Sequence, residues 1–583
     1  MSGLERSTMR VRWLVLVLAC AMMIGNYYCY DNPSALITQL KTTMGEASFA
    51  RDYNLLYTVY SIPNMALPFF GGYFVDKLGA PFCLIIFGSL ILSGQVLFAF
   101  GTSCTSWPLM WCGRILFGLG GENLTVAQSA LLAQWFRGKE LALAFGINLS
   151  ISRLGSVINN FISPAIAEGG GTAAALWFGV AVCGGSLVMA VLLWPIEKKA
   201  QRLIEKSSDE DLNASLLSND GNSNMNPPQK VRSRSVDNLR AVSTERLSSA
   251  ALSMSMTDEG DSDEEINLSD ALNFGSMFWL LSLSCLVVYG CVLPFNNVAG
   301  GILLERNYFL DPPSTCVLTY NTSCTSGTLA TDPNPMVPDT CPGKNHAPVL
   351  PSAIVDVTCD GDPKLDCDKS VYNFPSLSAS DIDCNDDFWK VGCTSDYCDQ
   401  QTEASKTASQ IMSIPYILSA AISPFLGFAV DKVGYRAIIA SMAPVILIVV
   451  HLTLAYTSGS PVAPLVGQGV AYSLFAAVLW PSVPFTVEEK SVGTAYGLIT
   501  AIQNSGLAAF PLIISALYDE AGNKYIPTVE VFFAGCAALG VVVGVVLNVQ
   551  DKRTGGKLNS VDGKGYEKLD GDIDAPPTPL LMT

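Results

Sequence analysis

Long runs of apolar residues alternate with short polar breaks along most of this chain. Each run contains the roughly 20 residues that a helix needs to cross the core of a bilayer. Counting the runs predicts twelve membrane-spanning helices in two sets of six, and therefore an all-α membrane protein of two six-helix bundles. The predicted spans are 13–30, 54–75, 82–101, 109–134, 141–166, 173–195, 273–298, 407–430, 437–457, 462–486, 492–517 and 528–549.

Polar segments divide the chain further. Residues 196–272 are rich in Ser, Asn and charged residues, a composition that predicts a disordered cytosolic linker. The linker separates an N-terminal bundle at 1–195 from a C-terminal bundle at 273–550, and residues 551–583 form a polar tail. The C-terminal bundle contains a long polar insert at 305–406.

Lys and Arg residues cluster in the short connections on one side of the predicted helices. The positive-inside rule places these connections in the cytosol. Both termini, the linker and the tail are then cytosolic, and the insert faces the lumen or the exterior. The sequence therefore predicts a multi-pass protein embedded in a lipid bilayer.

The insert has the features of a small non-cytosolic domain. It contains eight of the 17 cysteines, which predicts a disulfide-rich fold with 105 pairings that the sequence does not distinguish. Asn321 begins a glycosylation signal. The acidic residues around Asp360 lack the spacing of a calcium loop, so we predict no metal site. The eight cysteines are Cys316, Cys324, Cys341, Cys359, Cys367, Cys384, Cys393 and Cys398.

Composition argues against several classes of function. Half of the residues are hydrophobic, 15% are charged and the net charge is −17, which disfavours nucleic acid as a partner. Only two histidines are present, and no phosphate-binding loop, zinc-protease helix or nucleophile elbow occurs. We therefore predict that the protein is not an enzyme and carries no cofactor.

A short motif occurs once in each half. The segments 72–79 and 427–434 both read G-x-x-x-D-K-x-G, and each ends the second span of its half. One copy alone fits a basic turn at a membrane surface. Two copies at matching positions resemble the gate motif of the major facilitator superfamily, in which two six-helix bundles rock around a central site. The resemblance implies gating roles for Asp76, Lys77, Asp431, Lys432 and Arg436.

Further strings resemble one family within that superfamily, the lysosomal dipeptide transporters. They are YDNPSAL from Tyr30, GGENLTVAQ from Gly120, WFRGKEL from Trp135, and GTAYG from Gly493 with IQN from Ile502. The resemblance extends over all the spans but not over the linker, the insert or the tail. It implies dipeptide substrates, a lysosomal membrane and a glycosylated luminal accessory subunit that shields the transporter from proteases. Because the insert departs from the family pattern, we hypothesise that it partly replaces this subunit or reshapes the surface on which the subunit docks.

Glu122 and Arg153 are the clearest charged residues inside predicted spans. Glu122 lies 16 residues before the turn at Gly138 and Arg153 lies 15 after it. At about 1.5 Å per residue, both are about 23 Å along antiparallel helices. Either they neutralise each other, or they are held apart and bind the ammonium and carboxylate groups of a zwitterion. The resemblance favours binding, because the matching Glu and Arg of the family engage the peptide termini.

Other polar and aromatic residues within the spans are weaker candidates for the binding site. Each alone more often makes an ordinary contact between helices. Arg114 lies nearer the luminal end of its span, and we expect its side chain to reach the interface. The candidates are Tyr57, Asn123, Asn148, Asn297, Gln503 and Tyr496, followed by Asn159, Phe295, Asn296 and Asn504.

Transport coupling and location depend on shorter patterns. The first span lacks the E-x-x-E-R pattern of proton-coupled peptide transporters, which favours a uniporter. Tyr566 to Leu569 in the tail resembles a signal for clathrin adaptors and endolysosomal sorting. We therefore predict a lysosomal membrane, with the plasma membrane as second choice. The alternatives to dipeptide transport are transport of another small zwitterion or organic anion, and a role as a receptor or scaffold that transports nothing.

Overall fold

The computed structural model describes residues 3–44, 49–137, 140–220, 268–320, 323–325, 345–358, 371–382, 384, 388–390 and 392–561. These ranges are mostly helical. Several predicted features lie outside them: most of the linker, the glycosylation signal at Asn321, the cysteines Cys341, Cys359 and Cys367, and the sorting signal from Tyr566 to Leu569.

The first half consists of helices that fold back and forth against one another. Proline divides the predicted span 54–75, where a 3-10 turn, Pro63–Met65, separates two helices. Gly171, with φ of 84°, interrupts the last helix between its two predicted spans. The helices are α1 (Gly3–Tyr30), α2 (Asn32–Ala35), α3 (Ile37–Met44), α4 (Phe49–Ser61), α5 (Leu67–Leu78), α6 (Ala80–Ser103), α7 (Trp107–Phe136) and α8 (Leu141–Asp220).

The second half repeats this pattern around the insert. The predicted span 407–430 is divided at Ser413, just before Pro415, as its counterpart is divided at Pro63. Proline breaks a helix in both places because it has no N–H to donate and its ring clashes with the preceding turn. The helices are α9 (Ser276–Leu303), α10 (Ser314–Tyr320), α11 (Ser395–Met412), α12 (Ile414–Val433), α13 (Arg436–Tyr456), α14 (Val462–Ser482), α15 (Val492–Glu520) and α16 (Thr528–Arg553).

Nine helices of the described chain are long and apolar enough to cross a membrane. One of them, Leu141–Lys199, has 59 residues and includes the break at Gly171. The short α5 and the charge-bearing α7 are not among the nine, although both overlap predicted spans. The chain is therefore a multi-pass helical protein, while the count of twelve spans stays a prediction.

The predicted linker begins with regular structure. Helix α8 continues to Asp220, so residues 196–220 are helical and the prediction of disorder is wrong for this part. The reason is local: Glu, Lys, Leu and Ala recur between Ile196 and Leu217, and all four favour helix. The prediction of disorder at 221–267 concerns residues outside the described ranges.

The insert has a small core of its own. Strands β1 (Cys324–Thr325), β2 (Ile354–Thr358) and β3 (Val371–Phe374) form one sheet in that order, with β1 parallel and β3 antiparallel to β2. Ile354, Val357, Tyr372, Phe388 and Trp389 are buried together against it. Cys384 is bonded to Cys398, and Cys316 and Cys393 are also in disulfides. The prediction of disulfides in the insert is therefore confirmed for these cysteines.

The start of the tail is folded against the second copy of the repeated motif. The buried Asp551 carboxylate accepts hydrogen bonds from the N–H groups of Leu558 (2.8 Å) and Asn559 (3.2 Å). The Asn559 side chain accepts from the N–H groups of Ala437 (3.2 Å) and Ile438 (3.3 Å), and so caps the start of α13. Residues 551–561 thus hold the N-terminus of α13 in place.

The histidine inside the membrane-length helices is a packing residue. His451 Nδ1 on α13 lies 2.8 Å from Glu530 Oε2 on α16, and both side chains are fully buried. The rings of Phe295 and Phe533 lie 5.2 Å and 5.1 Å from the imidazole. This pair joins two helices of the second half.

Candidate functional site

The first copy of the repeated motif caps a helix of the other half. Asp76, near the end of α5, accepts hydrogen bonds from the N–H of Gly493 (2.6 Å), the N–H of Thr494 (2.5 Å) and the Thr494 hydroxyl (2.6 Å). These donors lie in the first turn of α15, where unpaired N–H groups and the helix dipole favour an anion. Asp76 therefore ties the two halves together at this end of the molecule, which we call the motif end.

The second copy makes the same contact in the opposite direction. Asp431, near the end of α12, accepts from the N–H groups of Ala142 (3.0 Å) and Leu143 (2.8 Å) in the first turn of α8. The Arg436 guanidinium lies 3.8 Å from the same carboxylate. Two related contacts thus hold the motif end closed.

Glycines let the backbones of the two halves touch beside these aspartates. A Cβ atom on any of four glycines would lie within 2.4 Å of a carbonyl oxygen in the other half, closer than real Cβ atoms approach backbone. The distances from such a Cβ to the carbonyl oxygen are 2.2 Å for Gly72 and Gly493, 2.2 Å for Gly427 and Ala142, 2.1 Å for Gly497 and Pro68, and 2.4 Å for Gly146 and Ser423. A larger residue at any of them would push the halves apart.

The lysines predicted to gate lie outside this contact. Lys77 and Lys432 are exposed, and their ammonium groups lie over the rings of Tyr73 (5.8 Å) and Phe428 (5.6 Å) on their own helices. Arg436 is buried, with its guanidinium 4.9 Å from the Phe485 ring. The closed contact is made by the aspartates, and gating roles for the lysines stay predictions.

Glu122 and Arg153 are not paired with each other in the described structure. Glu122, on α7, accepts a hydrogen bond from the Tyr60 hydroxyl (3.1 Å), and the side chain of Asn504 interacts with the same carboxylate. Asn504 belongs to the second half and also donates to the carbonyl oxygen of Asn64 (3.1 Å). The Glu122 carboxylate is thus held by neutral groups, one from each half.

Arg153, on α8, is held by two tyrosines of the second half. Its Nη2 donates to the Tyr472 hydroxyl on α14. The guanidinium lies 5.1 Å from the Tyr416 ring on α12 and 5.5 Å from the Tyr472 ring, which are favourable cation–π distances. The buried Nε has no acceptor in the described chain. Arg153 therefore keeps a full charge and donors to spare.

Two further residues connect these charges. Tyr27, on α1, interacts electrostatically with both Arg153 and Glu122. Asp31 follows the end of α1 and interacts electrostatically with Arg153 and with the Ser156 side chain. Both side chains are partly exposed, as are Glu122 and Arg153. The structure thus places a carboxylate and a guanidinium around one tyrosine, each partly open to solvent.

Several residues predicted as binding candidates make hydrogen bonds and packing contacts with other residues of the protein. The Asn123 amide donates to Leu119 of its own helix (2.7 Å), and its side chain abuts Gly71. Asn148 exchanges hydrogen bonds with Gln128 (2.5 and 3.0 Å). Tyr496 is fully buried and donates to the carbonyl of Trp480 (2.9 Å). Asn159 bonds Asn32 and Ser163 inside the first half.

Arg114 does not reach the interface as expected. It is fully buried, and its two terminal nitrogens donate to the carbonyls of Cys29 (3.3 Å) and Tyr30 (3.1 Å). Five aromatic rings surround it at 5.4 to 5.7 Å, including that of the candidate Tyr57. The expectation was wrong because the end of α1 offers buried carbonyls, which satisfy the guanidinium without water.

The remaining candidates lie on the second half. Asn297 is exposed, Gln503 and Asn296 are partly exposed, and Phe295 is fully buried against His451. Asn296 interacts with the side chain of Tyr416, the tyrosine beside Arg153. Asn504, a secondary candidate, is the one that contacts a charged residue of the site.

An internal alignment of the two halves would have found part of this site. Aligning Gly146 with Gly497 puts Arg153 in register with Asn504, seven residues after each glycine. Aligning Gly25 with Gly290 puts Asp31 in register with Asn296, six residues after each. Tyr472 and Tyr416 carry no such signal, because their role depends on a side chain in the other half.

Comparison with known proteins agrees with this architecture. The family model described as Major Facilitator Superfamily matches residues 14–312 and 395–579. Lysosomal dipeptide transporter MFSD1 of Homo sapiens is 28% identical, with 95% of this chain and 90% of that protein covered. The protein of the same name from Danio rerio is also 28% identical, with 94% and 89% covered.

Solved structures share the fold. The proton:xylose symporter XylE, bound to 6-bromo-6-deoxy-D-glucose, superposes with a TM-score of 0.57 at 11% identity, over 93% of this chain and 96% of that one. The transporter FucP in the outward conformation gives 0.53 at 10% identity, over 91% and 98%. The predicted fold class is confirmed, and the chain belongs to the major facilitator superfamily.

Proposed function

We propose that this protein is a uniporter that carries dipeptides from the lysosome lumen to the cytosol by rocking-bundle alternating access. The observation that carries the proposal is the separation of Glu122 and Arg153, each held by neutral groups and each partly exposed. A carboxylate and a guanidinium kept apart in one site complement the ammonium and carboxylate groups of a free dipeptide. The similarity to proteins named lysosomal dipeptide transporter supports this choice of substrate.

The contacts at the motif end support a moving transporter over a static receptor. Two aspartates cap helices of the opposite half, and both contacts can separate without breaking either bundle. In the proposed cycle the motif end is cytosolic and closed here. Opening it releases the helix N-termini of α8 and α15 from their aspartates.

Uniport is the simpler form of coupling for this chain. No acidic residue occurs between Val11 and Tyr30 on α1, where proton-coupled peptide transporters carry their E-x-x-E-R pattern. Uptake would then follow the peptide gradient alone.

Uptake of a radiolabelled dipeptide by proteoliposomes containing the full chain tests the function. We expect saturable uptake without a pH gradient, inhibition by other dipeptides, and no inhibition by free amino acids or dicarboxylates. Uptake that requires an inward proton gradient would overturn uniport but keep peptide transport. If folded protein moves no dipeptide, transport of another zwitterion or organic anion, or a receptor role, replaces the proposal.

The insert is proposed to protect the lysosomal protein from proteases, in part as a substitute for a glycosylated luminal accessory subunit. The described part of the insert has a sheet, a buried aromatic core and disulfides, which are features that resist cleavage. Deleting residues 310–400 is expected to shorten the half-life in lysosomes severalfold, without this change when lysosomal proteases are inhibited. An unchanged half-life would remove the idea of shielding.

Delivery to the lysosome is proposed to depend on Tyr566 and Leu569 through clathrin adaptors. A Tyr566→Ala variant should then collect at the plasma membrane, as seen by surface biotinylation. Tyr435→Ala, which alters an exposed tyrosine of another connection, is the control.

A further inference from the structure

Arg153 is a charged residue of the first half whose side chain contacts tyrosines of the second half. Its hydrogen bond to Tyr472 runs from α8 to α14, and the Tyr416 ring on α12 covers the guanidinium at 5.1 Å. The corresponding position of the second half, Asn504, is uncharged. The second half therefore contributes hydroxyl groups and rings to this part of the site, and no charge.

The Tyr472 hydroxyl has an unused donor. A phenol oxygen accepts hydrogen bonds and donates one. In the described chain its one hydrogen bond is the one it accepts from Arg153, because a guanidinium has no acceptor to offer in return. The Tyr472 side chain is buried, at 6% exposure, so water has little access to this donor. A guanidinium and a phenol O–H thus lie side by side with donors to spare.

We propose that Tyr472 is a second binding residue of the carboxylate subsite, supplied by the second half. This inference rests on the proposed function. One carboxylate oxygen of the peptide accepts from the Arg153 guanidinium, and the other accepts from the Tyr472 hydroxyl. The Tyr416 ring orients the guanidinium for this contact through its π face. The peptide carboxylate then bridges the two halves, which a ligand without a carboxylate does not do.

Tyr289 offers a matched control. Its ring lies 6.0 Å from the Tyr472 ring, and its hydroxyl accepts from the indole N–H of Trp480 (2.9 Å). Tyr289 is as buried as its neighbour, but its hydroxyl makes no hydrogen bond to Arg153 in the described structure. Removing either hydroxyl takes one oxygen from the same aromatic cluster. Of these two hydroxyl groups, the one on Tyr472 is bonded to the Arg153 guanidinium and is therefore placed to share a carboxylate with it.

The experiment compares alanyl-alanine with its C-terminal amide, titrated into the purified full chain by calorimetry. Wild-type protein should bind the dipeptide more tightly than the amide. Tyr472→Phe should weaken dipeptide binding by about tenfold, the usual effect of losing one hydrogen bond to a charged group. Its affinity for the amide should not change. Because the amide still binds through its ammonium group, that unchanged affinity also shows that the variant is folded.

The ratio of the two affinities decides the matter. Tyr289→Phe should keep the wild-type ratio, and Tyr472→Phe should lower it about tenfold. A wild-type ratio in Tyr472→Phe would overturn the assignment of Tyr472 and leave the proposed function standing. If wild-type protein binds neither ligand, the proposed function itself fails, and the subsite fails with it.

Discussion

Replacing Arg153 with glutamine is expected to lower kcat/KM for dipeptide uptake by about 100-fold. The guanidinium provides both a charge and a fork of donors to the peptide carboxylate, and such a charge-assisted contact contributes up to about 3 kcal/mol. Arg114 does not substitute for it, since both of its terminal nitrogens already donate to backbone carbonyls. Initial rates in proteoliposomes with matched protein content measure the effect.

Two further variants separate the charge of Arg153 from its hydrogen-bonding geometry and test the charge of Glu122. Arg153→Lys keeps the charge without the fork, so we expect a smaller loss of about tenfold. Glu122→Gln keeps an oxygen that can accept from the Tyr60 hydroxyl but removes the negative charge. It should therefore weaken binding of a dipeptide much more than binding of the N-acetyl derivative, which has no ammonium group. Saturable uptake by Arg153→Gln within threefold of wild type would contradict the proposed site.

Replacing Asp76 with asparagine is expected to open the motif end. The carboxylate accepts three hydrogen bonds at the start of α15, and asparagine offers one oxygen and turns an N–H₂ group toward the other donors. Loss of these contacts and of the charge near the helix dipole costs about 2 to 3 kcal/mol, or a factor of about 30 to 150 in the equilibrium between closed and open. Faster amide hydrogen exchange in peptides that contain Gly493 and Thr494 reports the opening.

Asp431→Asn is the matched comparison. Asp431 accepts two backbone hydrogen bonds, at 2.8 and 3.0 Å, where Asp76 accepts three at 2.5 to 2.6 Å. We therefore expect faster exchange around Ala142 and Leu143, but a smaller change than Asp76→Asn causes around its own partners. Exchange that is unaffected in both variants would show that the aspartates do not hold the motif end closed.

The two halves share a backbone plan but not a charge distribution. The gate contacts are nearly symmetric, down to the glycines that let the halves touch. At the proposed binding site, Asp31 and Arg153 of the first half are in register with Asn296 and Asn504 of the second. One half therefore carries the charges that we propose recognise a zwitterion, and the other surrounds them with amides and tyrosines. Movement of one half against the other would alter the surroundings of the charges while leaving the charges in place.

The charged residues of the proposed site are conspicuous in the sequence, but most of their neighbours are not. A charge within an apolar helix is conspicuous because burying it without a partner costs several kcal/mol, so Glu122 and Arg153 were identified directly. Polar amides are less informative. Asn148, Asn123 and Asn504 are the same residue type within predicted spans. In the structure Asn148 joins two helices, Asn123 bonds within its own helix, and Asn504 interacts with Glu122. When a helix is apolar on all sides, its sequence pattern does not show which side faces the site.

The sequence by itself determined the membrane class, the helical fold, the repeated motif and the two central charges. Each follows from a local physical requirement: about 20 apolar residues to cross a bilayer, or the high cost of an isolated charge within it. Only the tertiary structure decided that Arg153 meets Tyr472, that Asp76 caps α15, and that Arg114 is enclosed by aromatic rings. Those contacts join residues far apart in the chain, and their geometry depends on how the helices pack. Packing between helices is set by shape and hydrogen bonding across whole surfaces, which no single segment of sequence contains.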